Sequence, residues 1–129
     1  MKKIISFIVI TLLVISAVTV EQIYLHNSFD GLLNKIEILN TQIEQSEDVN
    51  TQDIEVFVED IEKYWEDIEN ILCMTINYND LHRIGEQLQR IESYAKRNQK
   101  DDCLAELQVL IFYAESYQRI FHINFSNIF

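Results

Sequence analysis

Residues 54–72 read IEVFVEDIEKYWEDIENIL, and this stretch decides the fold. Its apolar residues recur at alternating steps of four and three, the spacing of a helix that buries one seam against its neighbours. The seam consists of Ile54, Val58, Ile61, Trp65, Ile68 and Leu72, widened by Phe57, Tyr64 and Ile71. Asn50 or Thr51 is placed to cap the start of this helix. The stretch therefore predicts an amphipathic α-helix that needs other helices to pack against.

Three further segments repeat the same spacing. Their apolar positions are Leu25, Phe29, Leu32, Ile36, Leu39 and Ile43; Leu81, Ile84, Leu88, Ile91 and Ala95; and Leu104, Leu107, Leu110, Ile111, Ala114, Tyr117 and Phe121. Asp30-Gly31 predicts a break or bend in the first of these segments, and Asn79 or Asp80 a cap for the third. Short polar connections join the segments, and the chain has no proline. We therefore predict an all-α fold, an antiparallel up-and-down bundle of three to four helices behind an N-terminal transmembrane helix.

The N-terminal run from Ile4 to Val20 carries no charge and follows Lys2 and Lys3. As a helix it is about 25 Å long, slightly shorter than a bilayer core of roughly 30 Å. One alternative is a cleaved signal peptide, although Ala17-Val18-Thr19 fits the small-residue cleavage pattern poorly. A buried core helix is the other alternative. We predict that residues 1–20 are a transmembrane anchor and that residues 21–129 form an acidic helical bundle.

The two lysines predict the orientation of this anchor. Positive residues favour the cytoplasmic side, which places the N-terminus in the cytoplasm and residues 21–129 outside it. The expected location is the cell membrane, crossed once. Because the four segments alternate in direction, the last one should return towards the bilayer.

Acidic residues dominate the charge of the chain, whose formal net charge is −11. Such a surface repels phosphate, so we expect no nucleic-acid partner. The excess is concentrated between residues 44 and 69, where eleven acidic residues accompany Lys63 alone. One row consists of Glu55, Glu59, Glu62, Glu66 and Glu69, and Asp53, Asp60 and Asp67 recur on the other flank. Two interpretations stay open: a solvated face that keeps the domain soluble, or a face that binds a basic partner surface or weakly attracts divalent cations.

The end of the chain is apolar, and its largest side chains are Phe121, Phe125, Ile128 and Phe129. Chain ends fray unless something holds them. One interpretation is packing on the membrane-proximal end of the bundle. The other is a docking tail for the bilayer interface or for a membrane partner.

Residues with catalytic or metal-binding chemistry form no recognisable motif. His82 and Glu86 lie one turn apart, but a zinc site needs a further ligand, and HExxH and CxxC patterns are absent from the sequence. Cys73 and Cys103 are predicted at opposite ends of the bundle, too far apart for a disulfide. We expect two buried thiols, with an intramolecular bridge or an intermolecular or redox role as alternatives. The sequence predicts no enzyme and no cofactor.

Several local stretches resemble one bacterial family. They are the short N-terminal anchor, Tyr64-Trp65, Ile76-Asn77-Tyr78-Asn79-Asp80-Leu81 followed by Ile84, and Asn127-Ile128-Phe129. Together they resemble the family called domain of unknown function 4363, with Tyr78 where a histidine is expected. The resemblance implies a small single-anchor helical protein, and it implies no activity.

The expected function is that of an accessory or assembly subunit, which acts by contact with another envelope protein. The oligomeric state is left open. The alternative is an extracytoplasmic domain that binds a cation or a small ligand between its helices. A polar cavity lined by Tyr64, Tyr78, Tyr113 or Tyr117 would favour ligand binding, whereas a filled apolar core would favour protein contact.

Overall fold

The computed structural model describes residues 1–73 and 78–128, without the side chains of Tyr78 and of residues 121–128. The described residues form four α-helices and no strand: α1 (Lys2–Gln45), α2 (Gln52–Leu72), α3 (Tyr78–Lys96) and α4 (Lys100–Ile128). The all-α prediction is therefore confirmed, and the first helix is far longer than the others.

The helices form a ring in which each contacts its neighbours in the chain, and α4 closes the ring against α1. Contacts at the two ends of the α1/α4 pair show that these helices are antiparallel. Lys100, which starts α4, donates to the carbonyl oxygen of Glu44 at 3.0 Å. Gln118, near the other end, donates to Asp30 Oδ1 at 2.8 Å. The up-and-down bundle predicted from the short connections is thus present, and α4 returns towards the apolar end of α1.

The predicted seams line the core. All the seam positions of the first three segments are buried, and Trp65 lies near their centre. Its ring centroid is 5.7 Å from that of Phe29, and its indole N–H donates to the carbonyl oxygen of Leu81 at 3.3 Å. In α4, Cys103 is fully buried along with Leu107, Leu110 and Ala114, whereas Leu104 and Ile111 lie at the edge of the core. The side chain of Phe121 lies outside the described part.

The predicted break at Asp30-Gly31 is wrong, because α1 continues through both residues. Gly31 has a packing role instead. A β-carbon added there would overlap the hydroxyl group of Tyr64, which donates to the carbonyl oxygen of Ser28 at 3.0 Å. The missing side chain therefore leaves room for the Tyr64 hydroxyl group of α2 to reach the backbone of α1.

Two predicted helix caps have different outcomes. The side chain of Thr51 accepts a hydrogen bond from the backbone N–H of Ile54 at 3.4 Å, so this cap is confirmed. The predicted cap at Asn79 or Asp80 is wrong. Helix α3 already begins at Tyr78, so both residues lie in its first turn. An acidic residue in a first turn still interacts favourably with the helix dipole.

The turn between α3 and α4 is held to the turn between α1 and α2. Asn98 has a left-handed backbone with φ of 57°. Its Oδ1 accepts from the backbone N–H of Val49 at 2.7 Å, and its Nδ2 donates to Asp48 Oδ1 at 3.0 Å. The ammonium group of Lys100 also donates to the carbonyl oxygen of Ser46 at 2.8 Å. These bonds satisfy backbone groups at helix ends, which would otherwise lack partners.

The N-terminal part of α1 stands apart from this core. Its large apolar side chains are exposed all round, from 41% at Ile15 to 70% at Phe7. Among the described helices, α1 is long and apolar enough to cross a membrane. At 1.5 Å per residue, its 44 residues extend for about 66 Å. One uninterrupted helix therefore joins the apolar run to the bundle.

Candidate functional site: the acidic groove between α2 and α3

The predicted row of glutamates lies along the groove between α2 and α3, and we call this surface the acidic groove. Glu55, Glu59 and Glu66 are exposed, whereas Glu62 and Glu69 are half-buried against α3. Two open depressions of about 200 and 180 Å³ follow the groove. The spacing of four and three is what brings all five carboxyl groups to this one side of α2. The row predicted from the sequence therefore lies together on this side of α2, where the ammonium group of Lys96 of α3 also interacts with Glu55 and Glu59.

Glu62 differs from the rest of the row because it meets Glu92 of α3. Burial, followed by the hydrogen bond to Glu92 and the charge of Glu92, raises the pKa of Glu62 to about 8. Its Oε1 is buried and has no hydrogen-bond partner among the described residues, which disfavours the charged form. The hydrogen bond from Glu62, followed by that from Lys96, lowers the pKa of Glu92. Glu62 is thus mostly neutral at neutral pH and donates its proton to Glu92.

Replacing Glu62 with glutamine is expected to stabilise the bundle, and more so at alkaline pH. Because the pKa of Glu62 is about 8 in the folded chain and 4.5 ordinarily, the stability of the wild type falls as pH rises through that window. A glutamine amide donates the same hydrogen bond without titrating. Solvent screens this half-buried group, so we expect a gain of about 1 kcal/mol near pH ~9 and less near pH ~6, measured by urea unfolding.

Glu66→Gln is the matched control for this measurement. The side chain of Glu66 is exposed on the same row of α2, so the substitution removes a carboxyl group without touching the contact with Glu92. We expect the pH dependence of its unfolding to match that of the wild type. Equal pH profiles for Glu62→Gln and the wild type would show that Glu62 keeps its ordinary pKa in the folded chain.

A histidine closes the groove at its other end. His82 Nε2 lies 3.3 Å from Glu86 Oε1, and His82 Nδ1 lies 4.0 Å from Glu69 Oε1. The predicted pair of His82 and Glu86 is therefore formed, and Glu69 joins it from α2. In residues 1–73 and 78–128, no three His, Cys, Asp or Glu side chains are grouped so as to hold a metal ion.

The aspartate flank of α2 faces α1 instead. Asp60 Oδ2 lies 3.3 Å from the ammonium group of Lys35. The same ammonium group lies 5.1 Å from the centroid of the Tyr64 ring, a distance suited to a cation–π contact. Asp60 is therefore partly neutralised within the chain, and the glutamate row is the flank whose charge is directed towards α3 and solvent.

The tyrosines named as ligand candidates contribute to helix packing. Tyr64 bonds Ser28, and the hydroxyl group of Tyr117 receives a hydrogen bond from Arg83. The rings of Tyr113 and Tyr117 stack with their centroids 6.1 Å apart. The side chain of Tyr78 lies outside the described part. The buried polar residues among those described are Ser28 and Gln87, so the core is almost entirely apolar.

Gln87 is a buried contact that the sequence pattern did not predict. Its Nε2 donates to the carbonyl oxygen of Glu106 at 3.0 Å and also contacts the carboxylate of Glu106. The residue follows no apolar spacing, and only the rotation of α3 against α4 brings it inside. It ties these two helices together on the side away from the acidic groove.

The two thiols are free and differ in exposure. The expectation of two buried thiols is wrong for Cys73, because this residue caps the end of α2 beyond the seam, where its Sγ donates to the carbonyl oxygen of Asn70. Cys103 is fully buried, and burial raises its pKa to about 11. A thiol with a raised pKa is a poor nucleophile at neutral pH.

Only the backbone of the predicted docking tail belongs to the described part of the chain, and only as far as residue 128. The backbone of α4 is helical as far as Ile128. The side chains of Phe121, Phe125 and Ile128, and all of Phe129, lie outside the described part. The tail is therefore placed only by the direction of α4, which runs back along α1.

A model of a known protein family matches most of the chain. The family model described as "Domain of unknown function (DUF4363)" matches residues 19–128. No curated protein and no solved structure matches the chain. The matched range covers the whole bundle and the acidic groove.

Proposed function

The chain belongs to the DUF4363 family, and from the geometry of its bundle we propose that it is a membrane-anchored accessory or assembly subunit. It is held in the cell membrane by the N-terminal part of α1, with its N-terminus in the cytoplasm and the bundle outside. It acts by binding a basic surface of another envelope protein through the acidic groove. It performs no enzymatic reaction.

The observation that carries this proposal is the line of exposed carboxyl groups. Glu55, Glu59 and Glu66 have no role in the core, and they follow one side of α2 over about 16 Å at 1.5 Å per residue. Like charges this close repel each other, so the row costs helix stability that packing must offset. A row of basic side chains on a partner would remove this repulsion and accelerate encounter.

The filled core favours protein contact over ligand binding. A small-ligand site is normally a concave, mostly enclosed pocket with a few polar groups. Here the buried side chains are apolar, and the tyrosine hydroxyl groups of Tyr64 and Tyr117 are used between helices. The depressions of the surface are open: two lie on the acidic groove, and others lie along α1, one of them beside Tyr64.

Site-specific crosslinking in native membranes tests the proposal. A photoreactive amino acid at Glu59 should form an adduct with an envelope protein, and the crosslinked segment of that protein should be rich in lysine or arginine. The same amino acid at Glu37, an exposed position on α1, is the positional control. Because the proposed interaction is electrostatic, we expect less adduct to form as the salt concentration is raised.

Amide substitutions separate the groove from the overall charge. Here the photoreactive amino acid is placed at Val56, an exposed residue of α2 next to the row. From this position, the triple variant Glu55→Gln, Glu59→Gln, Glu66→Gln should capture much less of the envelope protein than the wild-type row does. The control carries the same three-charge change at Glu37, Glu44 and Glu115, all exposed elsewhere. Equal capture by the two triple variants would refute a specific role for the acidic groove.

A further inference from the structure

The last part of α4 reaches the level at which the apolar run of α1 begins. The side-chain amide of Gln118 lies 3.4 Å from His26 Nδ1 and 2.8 Å from Asp30 Oδ1, one helical turn apart on α1. The two helices are antiparallel, so each further residue of α4 lies level with an earlier residue of α1. Ile128, ten residues beyond Gln118, is therefore level with about residues 16–20 of α1.

The last charged residues of α1 and α4 can be compared along this register. Going towards the N-terminus, Glu21 is the last charged residue of α1 before the apolar run. On α4 the last charged residue is Arg119, and residues 120–128 carry no Lys, Arg, Asp or Glu. By the same register, the end of α4 lies about 2–8 Å past the level of Glu21. Arg119 is level with about residues 25–29 of α1, so the uncharged end of α4 begins about 6–12 Å before the level of Glu21 and continues past it.

The register gives the depth that this part of α4 would reach. Interfacial helices typically bury their apolar side by about 5–10 Å, a range that overlaps the depth given by the register of α4.

We infer that the C-terminal end of α4, residues 120–128, is a second membrane contact that rests in the headgroup and upper acyl layer beside α1. The inference rests on the proposed anchoring of α1. Its occupant is the lipid bilayer, not a membrane protein. A bundle held by α1 and by the end of α4 is fixed to the membrane at two of its four helices.

Quenching by brominated lipid tests this contact. The full chain is reconstituted into vesicles of phosphatidylcholine brominated on its acyl chains, and the emission of an added tryptophan is compared with that of the wild type, which contains Trp65. Phe125→Trp reports on the end of α4. Phe112→Trp is the matched control, on the same helix but about 20 Å farther from the membrane and 63% exposed. Leu12→Trp reports on the anchor.

We expect strong quenching at positions 12 and 125, with the added emission at 125 quenched at least about twofold more than at 112. Equal quenching at 125 and 112 together with strong quenching at 12 would overturn the second contact and leave the anchor standing. Weak quenching at 12 would overturn both. Ile128→Trp repeats the measurement on a second variant, and far-ultraviolet circular dichroism confirms that each variant is folded.

Discussion

Replacing Gly31 with alanine is expected to destabilise the bundle by about 1–2 kcal/mol, although the same change at Gly85 stabilises it by about 0.5–1 kcal/mol. Both glycines lie inside helices, where alanine is intrinsically the better residue. At Gly85 an added β-carbon would lie 3.8 Å from Glu69 and 4.0 Å from Trp65, which is ordinary contact. At Gly31 it would overlap the Tyr64 hydroxyl group and break the bond to Ser28. Urea unfolding of the full chain in detergent micelles measures both changes.

A double-mutant cycle with Tyr64→Phe isolates the cause. Removing the hydroxyl group leaves the ring carbon Cζ, at 3.1 Å, as the nearest atom to the added β-carbon. We therefore expect Gly31→Ala to cost about 1 kcal/mol less in the Tyr64→Phe background than alone. If Gly31→Ala proves as stabilising as Gly85→Ala, then the Tyr64 hydroxyl group does not pack on Gly31 as described.

Replacing Asn98 with alanine is expected to be the most destabilising of the single changes considered, by about 3 kcal/mol. Alanine in a left-handed conformation costs roughly 1 kcal/mol. The substitution also leaves the backbone N–H of Val49 without its acceptor and removes the donor to Asp48. An unpaired, partly buried donor costs about 1–3 kcal/mol. Thermal unfolding followed by circular dichroism measures the loss.

Asn98→Gly separates the two contributions. Glycine adopts a positive φ without strain, so this variant loses only the bonds to Val49 and Asp48. We expect the free energy of unfolding of Asn98→Gly to lie between those of the wild type and Asn98→Ala, about 1 kcal/mol above that of Asn98→Ala. Identical stabilities for the two variants would mean that the backbone conformation of residue 98 contributes nothing.

The seams were predictable because burial on a helix follows a simple period. Leu25 to Ile43, Ile54 to Leu72 and Leu81 to Ala95 each keep that period, and each is buried as predicted. The Thr51 cap was predictable for a similar reason, since its partner lies three residues away. Local rules therefore predicted the helices, their order and the anionic side of α2.

The missed features all depend on how one helix is rotated against another. The proton shared by Glu62 and Glu92 needs the register of α2 against α3. The packing of Tyr64 on Gly31 was mistaken for a break, because glycine in a sequence signals a turn as readily as a close contact. Asn98 shows its role only when two distant turns meet. Such contacts carry no periodic signal in the sequence.

The unbroken course of α1 has a consequence for how a partner is met. For a chain anchored as proposed, the helix that crosses the bilayer is also a wall of the bundle, with no hinge in its 44 residues. The acidic groove then has a fixed orientation around the axis of α1 and opens sideways, parallel to the membrane plane. Its partner is encountered by lateral diffusion at a matching height, where confinement to a surface raises the effective concentration. Even if the groove binds its partner with low affinity, it can thereby remain occupied.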